Sequence, residues 1–108
     1  MANPVPPNLS LTINKQATDA IVCCTGRITA ETTESLKAWV KPLLPQSKRI
    51  VLDLTDVNYL DSSGLGAIVG LYVSAKCANC RLKLIYSNES LIKLFSITRV
   101  DQLLAEEA

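Results

Sequence analysis

Asp61, Ser62 and Ser63, followed by Gly64-Leu65-Gly66, put a carboxylate, two hydroxyls and two glycines into six consecutive residues. The apolar run Ile50-Val51-Leu52-Asp53-Leu54 before them reads as a buried strand, and residues 65–75 after them read as an apolar helix. The chemistry-bearing residues therefore sit where a strand hands the chain to a helix. A helix N-terminus has unpaired N–H groups and about half a positive charge, so it accepts an anion. Glycines there let another group approach the backbone. Two roles are open to Ser62 and Ser63. Serine is among the best N-caps, worth about 1 kcal/mol. A serine hydroxyl here can also receive a phosphate, whose charge of about −1.5 to −2 the helix end accommodates without a change of fold. Asp61 can cap, form a turn, orient the Ser62 hydroxyl, or repel a phosphate once it is added.

Other groups are weaker candidates. The chain contains no histidine, which excludes Ser–His–Asp and Cys–His mechanisms, phosphohistidine chemistry and most zinc sites. Cys77-Ala78-Asn79-Cys80 is a C-x-x-C, but it falls at the end of a helix, where the dipole disfavours a thiolate. Zinc needs about four ligands, and Cys23 and Cys24, adjacent on a strand, point to opposite faces. The simpler reading is a turn with Asn79 as a left-handed cap. Asp53, Asp56 and Asp61 only loosely supply the metal-holding acidic cluster of an aspartyl-phosphate receiver. Gly64-Leu65-Gly66 lacks the third glycine, or the lysine, of nucleotide-binding loops. No metal, no cofactor and no catalytic residue is expected.

The positioning elements follow from composition and pattern. A chain of 108 residues is one domain by default and buries about 60–65% of its surface on folding. Net charge is +1, and of the 11 basic residues only Lys48-Arg49 are adjacent. Nucleic-acid binding usually needs a basic stripe and is not expected. The longest apolar stretch, 65–75, is too short to span a bilayer. No basic segment precedes an apolar one at the N-terminus, so a cytoplasmic location without membrane insertion is expected.

Residues 1–8 hold three prolines and read as a disordered leader, with one domain over 9–108. Residues 9–13 alternate as an edge strand does, and 20–24 form its hairpin partner. A helix is predicted over 30–44, capped by Thr29 or its neighbour, with Pro42 bending its last turn and Pro45 ending it. A strand over 50–54, a helix over 65–76 and a strand over 81–86 follow. A short helix capped by Asn88 or Ser87 comes next, then an extended segment at 97–100 and a helical turn through Leu103 and Leu104. Strands alternating with helices imply parallel pairing through right-handed crossovers. The fold class is therefore α/β, a single domain with a mixed, mostly parallel sheet of four to five strands and an N-terminal antiparallel hairpin.

Val51-Leu52-Asp53-Leu54, then Asp61-Ser62-Ser63-Gly64-Leu65-Gly66, together with the turn Gly26-Arg27-Ile28-Thr29 and this element order, resemble the STAS domain. Within it the chain is similar to the bacterial anti-sigma factor antagonists, over about residues 9–104. The resemblance implies a non-enzymatic, phosphorylation-controlled switch in transcription. In that family an anti-sigma factor that is also a serine kinase, of the histidine-kinase-like ATPase fold, phosphorylates the serine after the motif aspartate, here Ser62. The unphosphorylated form binds the anti-sigma factor and frees a sigma factor, and a PP2C-type phosphatase restores it. The implied binding surface is Thr29, Asp61, Ser62, Ser63, Gly64, Leu65 and Gly66. One departure stands out: the turn after the second strand often reads G-E-L-D in the family, and here its two acidic positions are Arg27 and Thr29. The resemblance leaves a second reading open, a non-phosphorylated subunit of a transporter or a stress-sensing complex.

Overall fold

Four strands and four helices account for most of the chain in the computed structural model, which describes residues 9–105. The leader expected at 1–8 lies outside the described residues. Strands β1 (Leu9–Gln16) and β2 (Asp19–Ile28) form the expected hairpin, closed by two residues, with Ala17 at positive φ. Helix α1 (Thr33–Val40) and a 3-10 segment (Lys41–Gln46) lead to β3 (Arg49–Leu60). Then come α2 (Ser62–Cys77), β4 (Arg81–Ile85), α3 (Glu89–Ile97) and α4 (Val100–Ala105). The sheet order is β1-β2-β3-β4, antiparallel between β1 and β2 and parallel beyond, which gives the mixed sheet its four strands.

Alternation along the strands decides where the helices go. Ala20, Val22 and Cys24 of β2 share one buried face with Ile50, Leu52 and Leu54 of β3 and Leu82 of β4. Leu36 and Val40 of α1, Ile68 and Leu71 of α2, Phe95 of α3 and Val100 of α4 pack into the same cluster. The helices thus form one layer. The other sheet face carries Asp19, Ile21, Cys23, Arg49, Val51, Asp53, Lys83 and Ile85, and of these Val51 alone is buried. A least dimension of 20 Å fits two layers about 10 Å apart.

Several boundaries differ from those predicted, each for a local reason. β3 continues past Leu54 to Leu60, because its pairing with β2 absorbs two register shifts, between Cys23 and Thr25 and between Gly26 and Arg27. Gly26, at φ 115, sits at the second shift, a backbone geometry that suits glycine. The shifts set Arg27 beside Tyr59 and Ile28 beside Leu60. α1 starts at Thr33 and gives way at Lys41 to the 3-10 segment, which contains both Pro42 and Pro45. Proline lacks the N–H that continues an α-helix. α2 starts three residues before the predicted 65. The segment at 97–100 is not extended: Ile97 ends α3, Arg99 turns at φ 64, and Val100 begins α4.

Candidate functional site

A single residue, Asp61, separates β3 from α2, and it ties three pieces of chain together. Its N–H donates to the Ile28 carbonyl at 3.2 Å, across to β2. Its Oδ1 accepts from Gly64 N–H at 2.9 Å, capping the helix, and its Oδ2 accepts from Ala30 N–H at 3.3 Å. Asp61 is therefore the N-cap. Ser62 and Ser63 are not caps; they occupy the first two helical positions, both exposed, and their N–H groups have no partner among the described residues. A free hydroxyl and free amides at the positive end of a 16-residue helix can take an anion.

Gly64 explains how the helix end fits so close to β2. A Cβ at this position would stand 2.4 Å from the Ile28 carbonyl oxygen and 2.9 Å from Ile28 Cγ2. Gly66 is different: exposed, with open space where a Cβ would be. Leu65 is half-buried against the core.

Residues 29–32 form the facing loop. Thr29 N–H donates to Thr32 Oγ1 at 2.8 Å, the buried Thr32 hydroxyl donates to the Arg27 carbonyl at 3.0 Å, and Glu31 N–H donates to Thr29 Oγ1 at 3.3 Å. Thr29 is thus a turn residue. The helix cap falls on Thr32, whose side chain makes no capping bond. Between loop and strand lies an open groove lined by Arg27, Thr29, Ala30, Glu31, Tyr59 and Asp61. The Arg27 guanidinium lies 4.5 Å over the Tyr59 ring.

The structure thus gathers Thr29, Asp61, Ser62, Ser63, Gly64, Leu65 and Gly66 at one end of the sheet. Sequence reasoning did not place Ala30, Glu31 or Tyr59 there. The signal lay in the register of β2 on β3, which depends on two shifts that no pattern announces.

The rival motifs have structural explanations. Asn79, at φ 57, is the left-handed residue of a helix C-cap. Cys80 N–H donates to the Ala75 carbonyl at 2.8 Å and Asn79 N–H to the Lys76 carbonyl at 3.2 Å, a Schellman pattern with Cys80 as its buried apolar residue. Burial pushes the Cys80 thiol up, and Cys77 is exposed. Burial, then the charges of Cys23 and Asp53, pushes the Cys24 thiol up to about 12. Asp53 lies inside β3 rather than near its end, and its Oδ1 accepts from Thr55 N–H and Oγ1 at 3.0 and 2.6 Å. Among the described residues no cluster of three His, Cys, Asp or Glu could hold a metal, and no helix is long and apolar enough to cross a membrane.

The model of the STAS domain matches residues 10–106. The chain belongs to the STAS domain family. The anti-sigma-B factor antagonist of Bacillus subtilis is 34% identical over 91 residues, which are 84% of this chain and 84% of that protein. The crystal structure of an anti-sigma factor antagonist from Mycobacterium paratuberculosis superposes with a TM-score of 0.80 at 17% identity, covering 93% of this chain and 86% of that one. The anti-sigma factor antagonist SpoIIAA in its unphosphorylated form gives 0.72 at 15% identity, over 82% and 80%, and its phosphorylated form 0.69 at 15%, over 82% and 83%. At these identities the three structural likenesses establish the fold alone.

Proposed function

We propose that this STAS protein is an anti-sigma factor antagonist, a binding switch with no catalysis of its own, controlled by phosphorylation of Ser62. The observation that carries this reading is the division of labour at the start of α2. Asp61 performs the capping, so the Ser62 hydroxyl is exposed and free to be modified. The name of the Bacillus relative, at 34% identity over most of both chains, supports the same role. Unphosphorylated, the chain binds an anti-sigma factor through Thr29, Asp61, Ser62, Ser63, Gly64, Leu65 and Gly66, and a sigma factor is released. The anti-sigma factor is the serine kinase, with a histidine-kinase-like ATPase fold, and a PP2C-type phosphatase resets the switch.

The physical mechanism is local. The helix end accommodates the phosphate charge, so the fold persists. A partner packed over the loop must desolvate that charge, and an unpaired buried charge costs several kcal/mol. Incubation with the kinase and ATP adds one phosphate to the parent and none to Ser62→Ala, read by mass spectrometry. Ser62→Asp lowers affinity for the anti-sigma factor about a hundredfold, equivalent to about 2.7 kcal/mol, while its melting temperature stays level or rises. Phosphate on the Ser62→Ala variant would remove Ser62 from the mechanism. A stable assembly that ignores ATP would favour the transporter or stress-complex subunit instead.

A further inference from the structure

Arg27 carries a guanidinium that the fold does not use. It is exposed, and among the described residues it makes no ion pair and no side-chain hydrogen bond. Two carboxylates, Asp61 and Glu31, line the same groove, yet neither pairs with it. Both Asp61 oxygens are engaged by backbone N–H groups instead. The guanidinium carbon lies 4.5 Å from the centre of the Tyr59 ring, and Tyr59 is itself 45% exposed.

This arrangement has a specific chemical use. The ring holds the cation on one side, and the in-plane N–H donors of the guanidinium, engaged by no side chain or carboxylate among the described residues, remain available. A planar fork held in one orientation is pre-organised for a carboxylate, which it meets through two parallel N–H···O bonds. Arginine and tyrosine left in water side by side are also the residue types that dominate binding at protein interfaces. The register shifts in β2 put this pair beside Asp61, the residue before Ser62.

We propose that Arg27 and Tyr59 form an anchor that grips a carboxylate side chain of the anti-sigma factor, and that this chain thereby selects a factor bearing an acidic residue at that point. The inference rests on the function proposed above and names the chemistry of its partner. Glu31 repels a carboxylate that enters elsewhere along the groove, which confines the contact to Arg27. A phosphate on Ser62 repels the same carboxylate, so modification and anchor act on one ligand.

The test titrates the purified anti-sigma factors of the source cell against the parent, Arg27→Ala, Arg27→Glu, Arg27→Lys and Tyr59→Ala, at low and moderate salt. Arg27→Ala and Tyr59→Ala each weaken binding about 30-fold or more, and Arg27→Glu weakens it further. Arg27→Lys falls between, because it keeps the charge and loses the fork. The salt dependence of association shrinks in Arg27→Ala. All four variants melt with the parent. One Asp→Arg or Glu→Arg substitution in the factor restores binding to Arg27→Glu. Parent-like binding by Arg27→Glu overturns the anchor and leaves the antagonist function standing. A melting temperature that falls in step with affinity overturns it as well, since Arg27 would then be structural. If the parent binds none of the factors, the antagonist reading fails and the anchor falls with it.

Discussion

Helix α2 carries a reactive-looking motif at each end, and the fold treats the two ends in opposite ways. At the N-terminus Asp61 caps, leaving Ser62 and Ser63 exposed beside unpaired amides. At the C-terminus Cys80 is consumed by the cap, as its buried apolar residue, and Cys77 is left on the last turn among carbonyls. The dipole favours added negative charge at the first end and not at the second. The ends also differ in reach. Asp61 and Gly64 bind the N-terminus to Ile28 and Ala30, far along the chain. The C-terminal hydrogen bonds go to the carbonyls of Ser74, Ala75 and Lys76 in the same helix. A group's usefulness here depends less on its type than on which helix end holds it and on what else that end is tied to.

The sharpest way to break this comparison is at Gly64. In Gly64→Ala the new methyl meets a backbone carbonyl that cannot rotate aside. The expected loss is about 3 kcal/mol, the upper part of the overpacking range, together with weaker partner binding because the loop at 29–32 must shift. Gly70 lies in the same helix with open space around it, and Gly70→Ala gains about 0.5–1 kcal/mol. Denaturant melts of both variants settle the matter. Equal midpoints would mean that the N-terminal end of α2 tolerates a methyl as readily as its middle.

The caps come next. Asp61→Ala removes the bond to Gly64 and the bridge to Ala30, for about 1–2 kcal/mol. Asn79→Ala forces an ordinary residue into the left-handed region, for about 1 kcal/mol. The costs are close, but their reach is not. Hydrogen exchange at Ala30 should quicken in Asp61→Ala and stay unchanged in Asn79→Ala. Matching exchange patterns would erase the distinction between a tied end and a local one.

Much of this was legible in the residues. The alternation at 9–13, the Ile50 to Leu54 run and the position of Asn79 fixed the strand–helix order, the hairpin and the helix end, because period and turn chemistry are local properties. The strand-to-helix junction of Asp61 to Gly66 was legible for the same reason. What failed was non-local. Serine and aspartate are equally good caps in a sequence, which left Asp61, Ser62 and Ser63 all open; the structure gives the cap to Asp61, which also reaches Ala30 N–H. Tyr59 joined the groove through two register shifts between β2 and β3. The extended segment expected at 97–100 is instead the end of α3, a turn with Arg99 at φ 64 and the start of α4, with Val100 buried in the core. The basic residues are scattered in sequence, yet Arg49 and Arg81 stand side by side across β3 and β4.

The smallest expected effect belongs to the C-x-x-C, and its smallness is the point. Cys77 is exposed with no structural role among the described residues, so Cys77→Ser should shift stability by no more than about 0.5 kcal/mol and leave partner binding intact. Cys80 is buried as part of the helix cap, and Cys80→Ala, which keeps a small apolar group there, should cost only slightly more. Reactivity gives the cleaner readout. A redox or metal pair needs a thiolate at neutral pH, whereas burial pushes the Cys80 thiol up. With iodoacetamide at mildly alkaline pH, the exposed Cys77 should label in the folded protein. Cys80 should label slowly until denaturant opens the fold. Faster labelling of Cys80 than of Cys77, or stoichiometric zinc in the purified protein, would show that this end of α2 carries chemistry after all, and the contrast with the Ser62 end would have to be redrawn.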